Sequence, residues 1–322
     1  MSWKNSEQKP NRNPMDNKTQ NIQVIGLGQA SLDCLGVVPF YPREDGKVEM
    51  TELHIQCGGP ASTALATLSR FGISTSFLGS ISDDYFGLEI LKGLKQEKID
   101  TSFLKITPGY ISHFAYIAIT EGKGNRSVFW NRGSVPFLKP SEINLSHFQN
   151  AKILHLDALM IDASLEAARQ AKEMGIKVVI DAGTMREGVL DLISISDILI
   201  ASERFPDPLT GPGMDTEKAL EMLSRYCPGD VIITLGARGS IGLFNGDIII
   251  QEPFPVKAVD TTGAGDVYHG AYIYGVLQDW DMPQCMRFAS AVSAMKCREI
   301  GARKGIPDLK DIKNFMDNPG TV

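Results

Sequence analysis

The sequence predicts an α/β fold: a three-layer α/β/α core around a mostly parallel sheet, with a small β-sheet lid. Two observations predict the core and a third the lid. Short β-branched runs recur along the chain with stretches of helical spacing between them, the pattern of successive βαβ units. The run cores VIG, VVI, ILI and VIIT are apolar throughout, as strands covered on both faces must be. Two segments, about 34–57 and 103–132, break the alternation and are expected to stand apart as the lid.

Residues 1–20 are polar, with no apolar stretch long enough for a signal peptide. A disordered tail is expected there, followed by one domain over 21–322 that carries both lid segments as insertions. Strands are expected at Ile22–Leu27, Thr75–Ser80, Lys152–Leu156, Ile176–Asp181, Asp197–Ala201 and Asp230–Leu235. Helical spacing marks Asp84–Glu97, Ser164–Met174 and Thr216–Tyr226, and later Val267–Gln278 and Gln284–Glu299. The first lid segment holds Pro39, Pro42 and the turn Glu44-Asp45-Gly46, without a helical pattern. The second alternates from His113 to Ile119, turns through Glu121–Asn125 and resumes at Arg126–Trp130. That is the pattern of an antiparallel hairpin.

With 322 residues the chain suits one α/β core plus a small appendage. No run of about 18 apolar residues exists, so no membrane span is expected. The net charge of -6 counts against nucleic acid as the main partner, because phosphate binding needs a basic excess. The five cysteines have no metal-like spacing; they fit reduced, mostly buried thiols in a cytoplasmic protein.

Three glycine-rich strings carry the chemistry. Asp260-Thr261-Thr262-Gly263-Ala264-Gly265-Asp266 precedes a helix. Gly263 and Gly265 let the backbone approach a ligand closely. The amides of Gly263, Ala264 and Gly265 at a helix N-terminus would hold an anion. Asp266 beside them could take a proton from an attacking hydroxyl. The same string also suits a simple N-capping Asp after a glycine turn. Cys57-Gly58-Gly59-Pro60-Ala61-Ser62-Thr63 permits close backbone approach to a ligand, or tight helix packing through Ala61, Ala64 and Ala66. Ile25-Gly26-Leu27-Gly28-Gln29-Ala30-Ser31 half-matches a dinucleotide fingerprint, but Ser31 replaces its third glycine and no clear helix follows. Both departures count against NAD. A Walker-type phosphate loop is absent.

Together these strings resemble the ribokinase-like (PfkB) family of carbohydrate and nucleoside kinases. The first is similar to that family's C-terminal signature and the second to its N-terminal glycine signature. Asp83-Asp84-Tyr85-Phe86-Gly87, Thr234–Gly239 and Gly301-Ala302 before Gly305-Ile306-Pro307 support the likeness, in family order. The resemblance implies Asp266 as catalytic base and Gly263, Ala264 and Gly265 as anion hole. It implies that Asp33 bonds sugar hydroxyls and that Gly58, Gly59 and Thr63 line the substrate side, Thr63 standing where the family usually has Asn. It places Thr234, Gly236 and Gly239 at the ATP phosphates and Ser290 near the adenine. It implies ATP and Mg2+ as cofactors, admits a monovalent cation (K+), and makes the lid a dimer contact.

The family's NxxE motif is altered: Ser202-Glu203-Arg204-Phe205 puts Ser and Phe at its Asn and Glu positions. Ser202 is then expected at the ATP and Glu203 at the magnesium, through water. Arg132, after the second lid strand, sits where related sugar-acid and ketose kinases bind substrate; a guanidinium there could pair with an anionic group. The wording around Gly58, Phe288 and Gly301 is similar to a subgroup containing a sulfofructose kinase, which implies a ketose-like substrate. A nucleoside kinase of the same fold and a sugar-binding pseudokinase are the rival readings. The five histidines show no ligand spacing and are expected to be structural.

Overall fold

The computed structural model describes residues 21–122 and 125–318; the expected tail over 1–20 lies outside them. In chain order the strands and helices are β1 (Val24–Leu27), β2 (Ser31–Val38), β3 (Glu52–Gly58), α1 (Pro60–Arg70), β4 (Thr75–Ile81), α2 (Tyr85–Gln96), β5 (Leu104–Ile106), β6 (Phe114–Thr120) and β7 (Arg126–Asn131). Then follow β8 (Ile153–Leu156), α3 (Ile161–Glu173), β9 (Lys177–Ala182), α4 (Val189–Ser194), β10 (Ile198–Ser202), α5 (Asp207–Thr210), α6 (Thr216–Ser224) and β11 (Asp230–Thr234). The chain closes with β12 (Ser240–Phe244), β13 (Asp247–Gln251), α7 (Ala264–Leu277), α8 (Met282–Lys296) and α9 (Leu309–Asp317).

The apolar runs form one nine-stranded sheet in the order β13-β12-β11-β10-β9-β8-β1-β4-β5. From β5 to β11 every pairing is parallel. Side chains alternate between its faces with the period of two that a strand imposes. Ile198 and Ile200 enter a cluster with α1, α7 and α8, while Leu199 and Ala201 enter another with α3, α4 and α6. Each fully buried Val or Ile so placed stabilises the fold by about 1.5–3 kcal/mol. The three layers are as expected.

At one edge β12 and β13 run antiparallel to their neighbours, a hairpin the periodicity reading did not include. Its signal is in the chain: Asn245 and Gly246 form a two-residue turn, with φ of 52° and 88°, which is the Asn-Gly preference of such turns.

The lid is a separate four-stranded sheet, β3-β2-β6-β7. β6 and β7 are the expected antiparallel hairpin, and β2 joins it in parallel to β6. Of the segment 103–132, Leu104–Ile106 instead pairs with β4 in the large sheet. The lid also starts earlier than 34, because β2 begins at Ser31, opposite Gly58.

Helix α7 is deeply enclosed at the site. Its residues Val267–Ile273 are all buried, and a Cβ at Gly270 would lie 2.6 Å from the Ala64 carbonyl oxygen. Small residues on both helices therefore let α1 and α7 touch, which is the packing reading of the Ala61–Ala66 stretch.

Candidate active site

The C-terminal ends of the parallel strands face the start of α7, the place where open α/β sheets bind ligands. Gly263 is the N-cap of α7 and is left-handed (φ 74°, ψ 6°). This conformation favours glycine and turns the chain so that the next residues open the helix. Ala264 N–H closes the turn onto the Thr261 carbonyl (3.2 Å). A Cβ on Gly265 would meet nothing within 4 Å, so the backbone there faces open space. Asp266 follows in the first turn and is half-buried. Burial, then repulsion from Asp181, pushes its carboxyl up to about 6, against the pull of His269 and Arg126. Asp33 adds a weaker repulsion.

Behind Asp266, the His269 ring lies between the helix and the sheet. Its Nδ1 is 2.7 Å from the Gly265 carbonyl, and its Nε2 is 3.3 Å from the Ile200 carbonyl and 3.5 Å from Asp181 Oδ1. Both nitrogens face acceptors, so the ring is held by its contacts on either side. From the lid, Arg126 Nη1 donates to Thr261 Oγ1 (2.5 Å), tying β7 to the glycine string.

The sugar-side residues meet where β2, β3 and α1 join. Asp33 is buried, accepts the Ser31 hydroxyl at 2.7 Å, and is pushed up to about 6 by burial, with Ser31 and Arg303 opposing. A Cβ on Gly58 would sit 1.9 Å from Asp33 Oδ2, so any larger residue would have to displace that carboxylate. Gly59 has φ 96° at the N-cap of α1. Thr63 is fully buried one turn on, and its hydroxyl has no hydrogen-bond partner among the described residues. Arg303 is buried beneath them and donates to Ser62 Oγ (2.9 Å).

Arg132 lines a small cavity with Gly28, Gln29, Ser80 and His113. Its guanidinium lies 4.6 Å over the Phe137 ring, and Nη1 reaches the Val135 carbonyl at 3.3 Å. Burial, with Arg132 adding to it, holds His113 down at about 4, so that ring is neutral at physiological pH. Asp157 is buried next to Gly28. It accepts Gln29 N–H (2.5 Å) and Leu159 N–H (3.1 Å), and burial pushes it up to about 7.

On the other side of the strand ends lies a cleft of ≈ 520 Å³ lined by Gly183, Thr184, Ser202, Glu203, Thr234 and Gly236. Ser202 Oγ donates to the Gly183 carbonyl (3.0 Å), and Glu203 is ion-paired with Arg238. Gly239 lies behind the cleft in the turn that returns to β12, where its φ of 86° and a Cβ position 2.0 Å from the Gln251 carbonyl oxygen require glycine. Ser290 is buried in α8 beside the Tyr268 hydroxyl and does not line the cleft.

The glycine-opened helix, its carboxylate and a cleft on either side span the same stretch of chain as the match to known proteins. Residues 21–309 match the pfkB family of carbohydrate kinases. The chain belongs to that family. The kinase is 26% identical to a ribokinase of Haemophilus influenzae, over 91% of this chain and 97% of that relative. It is 29% identical to a 5-dehydro-2-deoxygluconokinase of Clostridium perfringens, over 92% of this chain and 93% of that one. Its fold superposes on an Arabidopsis thaliana ribokinase complexed with ribose and ATP with a TM-score of 0.77, at 22% identity, covering 92% of this chain and 98% of that one.

Asp157, Asp181, Arg126 and Arg303 were not among the site residues named from the sequence, and His269, expected to be structural, lies against Asp181 and the Gly265 carbonyl. Arg126 and His269 stood in strings already marked, the second lid strand and the helix after Asp266. Asp157 and Asp181 follow apolar strand runs, a position where a carboxylate in a parallel sheet points at ligand. Among the described residues, no helix is long and apolar enough to cross a membrane.

Proposed function

We propose that this carbohydrate kinase transfers the γ-phosphoryl group of ATP to a hydroxyl of a small ketose-like sugar. The observation that carries the reading is Asp266 in the first turn of α7, directly after the glycine-opened backbone. Asp33, Gly58, Gly59 and Thr63 bind the sugar, and Asp266 accepts the proton of the attacking hydroxyl. The Gly263–Gly265 segment holds the transferring group, where positioned amides stabilise developing charge. ATP lies in the cleft of Ser202, Thr234 and Gly236, with Gly239 in the turn behind it. The kinases named above, one of them bound to ribose and ATP, support this reading.

Among the described residues no group of three or more His, Cys, Asp or Glu could hold a metal by itself. Mg2+ therefore fits here as a companion of the nucleotide phosphates, with Glu203 reaching it through water, as Mg2+ commonly retains several waters. When bound it neutralises phosphate charge. Purified protein with Mg-ATP, tested against ketoses, sugar acids, sulfofructose, adenosine and inosine, should release ADP with one ketose-like member. Turnover with nucleosides alone would replace the sugar by a nucleoside, and sugar binding without any turnover would favour a pseudokinase.

Arg132 reads an anionic group at the far end of the substrate. Arg132→Met should raise KM for a sugar acid or sulfonate by about 10–100-fold, the worth of one charge-assisted hydrogen bond, with little change for neutral ketoses. Equal loss on both would assign Arg132 a structural role.

Two copies pair through their lids, in a cytoplasmic homodimer. The lid exposes Leu53 and Ile55 on β3 with Val128, Phe129 and Trp130 on β7, and both are edge strands, which proteins usually cover. Sedimentation should give a dimer that Ile55→Lys dissociates; a monomeric parent protein would refute it.

A further inference from the structure

The loop that leads into the glycine turn is built over a buried ammonium. Lys296, in the last turn of α8, has no exposed surface, and its Nζ donates to the Asp260 carbonyl oxygen at 2.8 Å. Asp260 is equally buried, and its carboxylate has other donors. Oδ1 accepts Thr262 N–H (2.8 Å) and the Thr262 hydroxyl (2.7 Å), while Oδ2 accepts Gly301 N–H (2.7 Å). The end of α8 also holds the preceding backbone, since Val259 N–H and Asp260 N–H both donate to the Cys297 carbonyl (2.8 and 3.2 Å). Residues 259–262 and 296–301 thus form one closed hydrogen-bonded unit directly before Gly263.

Lysines ordinarily run their stems along apolar surface and keep the ammonium in water. This one is withheld from water, at a real desolvation cost. Burial lowers its affinity for the proton, and the Asp260 carboxylate is the largest opposing influence. Cys297 and Asp266 also favour the ammonium and Arg126 disfavours it. A cation fixed on a carbonyl oxygen of this loop, beside a buried carboxylate, does what a bound alkali-metal ion would do there. It places a positive charge near the Asp260 carboxylate and holds the backbone from which Gly263 makes its left-handed turn.

We infer that the Lys296 ammonium is a resident cation that positions the Asp260–Gly263 loop, and that this kinase works without a bound K+. The inference rests on the anion-hole reading of Gly263–Gly265. Lys296 is a positioning residue, since its hydrogen bond is to the loop and not to a reacting group.

The test is amide hydrogen exchange of residues 259–263 in the full chain, with KCl replacing tetramethylammonium chloride at constant ionic strength. The parent protein should show the same protection in both salts. Lys296→Met should exchange this loop about tenfold faster or more in tetramethylammonium, as for a local opening made easier, and recover protection in K+. Turnover should follow the same pattern. Saturable K+ protection of the parent loop, or parent-like protection of Lys296→Met in tetramethylammonium, would overturn the inference. Should Lys296→Met not fold, the parent titration decides alone: response to K+ overturns the inference and indifference upholds it. Exchange is read without sugar or ATP, so failure to find a substrate bears on the kinase reading and not on this one.

Discussion

Replacing Asp266 with Asn should lower turnover by about 10²–10⁴-fold, the share of a positioned general base, while ATP and sugar still bind. The change keeps the shape of the first turn of α7 and removes only the proton acceptor. The pH profile gives an independent check. A base works deprotonated, so with Asp266 pushed up to about 6 by burial and Asp181, kcat/KM should rise about tenfold per pH unit below about 6 and level off above it. In Asp266→Asn that acid limb should vanish along with the rate. Unchanged turnover in the variant would remove Asp266 from the chemistry, and a flat profile in the parent would mean that its proton transfer does not limit the reaction.

The second large effect separates two neighbouring glycines. Gly263→Ala puts a Cβ 2.6 Å from the Ala302 Cβ and 2.8 Å from its Cα, at a left-handed φ of 74°. The conformation alone costs about 1–2 kcal/mol, and the overlap about 1–3 kcal/mol more. Stability and turnover should therefore fall together. Gly265→Ala meets nothing within 4 Å and has no such strain, so stability should change by no more than about 0.5 kcal/mol. Its turnover should still drop by about 10²-fold, the loss typical when one donor to a developing anion is displaced, because the new methyl group fills the approach to the backbone. Thermal melts beside turnover assays distinguish the two. Full activity in Gly265→Ala would show that the transferring group does not come close to this backbone.

These contrasts depend on facts of different origin. The parallel sheet was legible because each strand is a local apolar run, and periodicity is local. The lid hairpin was legible from alternation around a glycine turn. Asn245-Gly246 was equally local and stands between the apolar runs Ile241–Phe244 and Ile248–Ile250, so β12 and β13 were legible too, although the periodicity reading passed over them. The string ending in Asp266 announced its turn and helix start for the same reason: glycine spacing is a property of neighbouring residues.

The electrostatics of the site were not legible. Gln29 N–H meets Asp157 across 128 residues of chain, Arg126 meets Thr261 across 135, and Arg303 meets Ser62 across 241. Nothing in a linear string states that Lys296 will lose all contact with water, or that Asp181 will face both His269 and Asp266. By itself the sequence determined where the chain runs as strand or helix and which backbone segments can approach a ligand. Only the tertiary structure decided which charges are buried together, because burial and pairing arise when distant segments pack and exclude water between them.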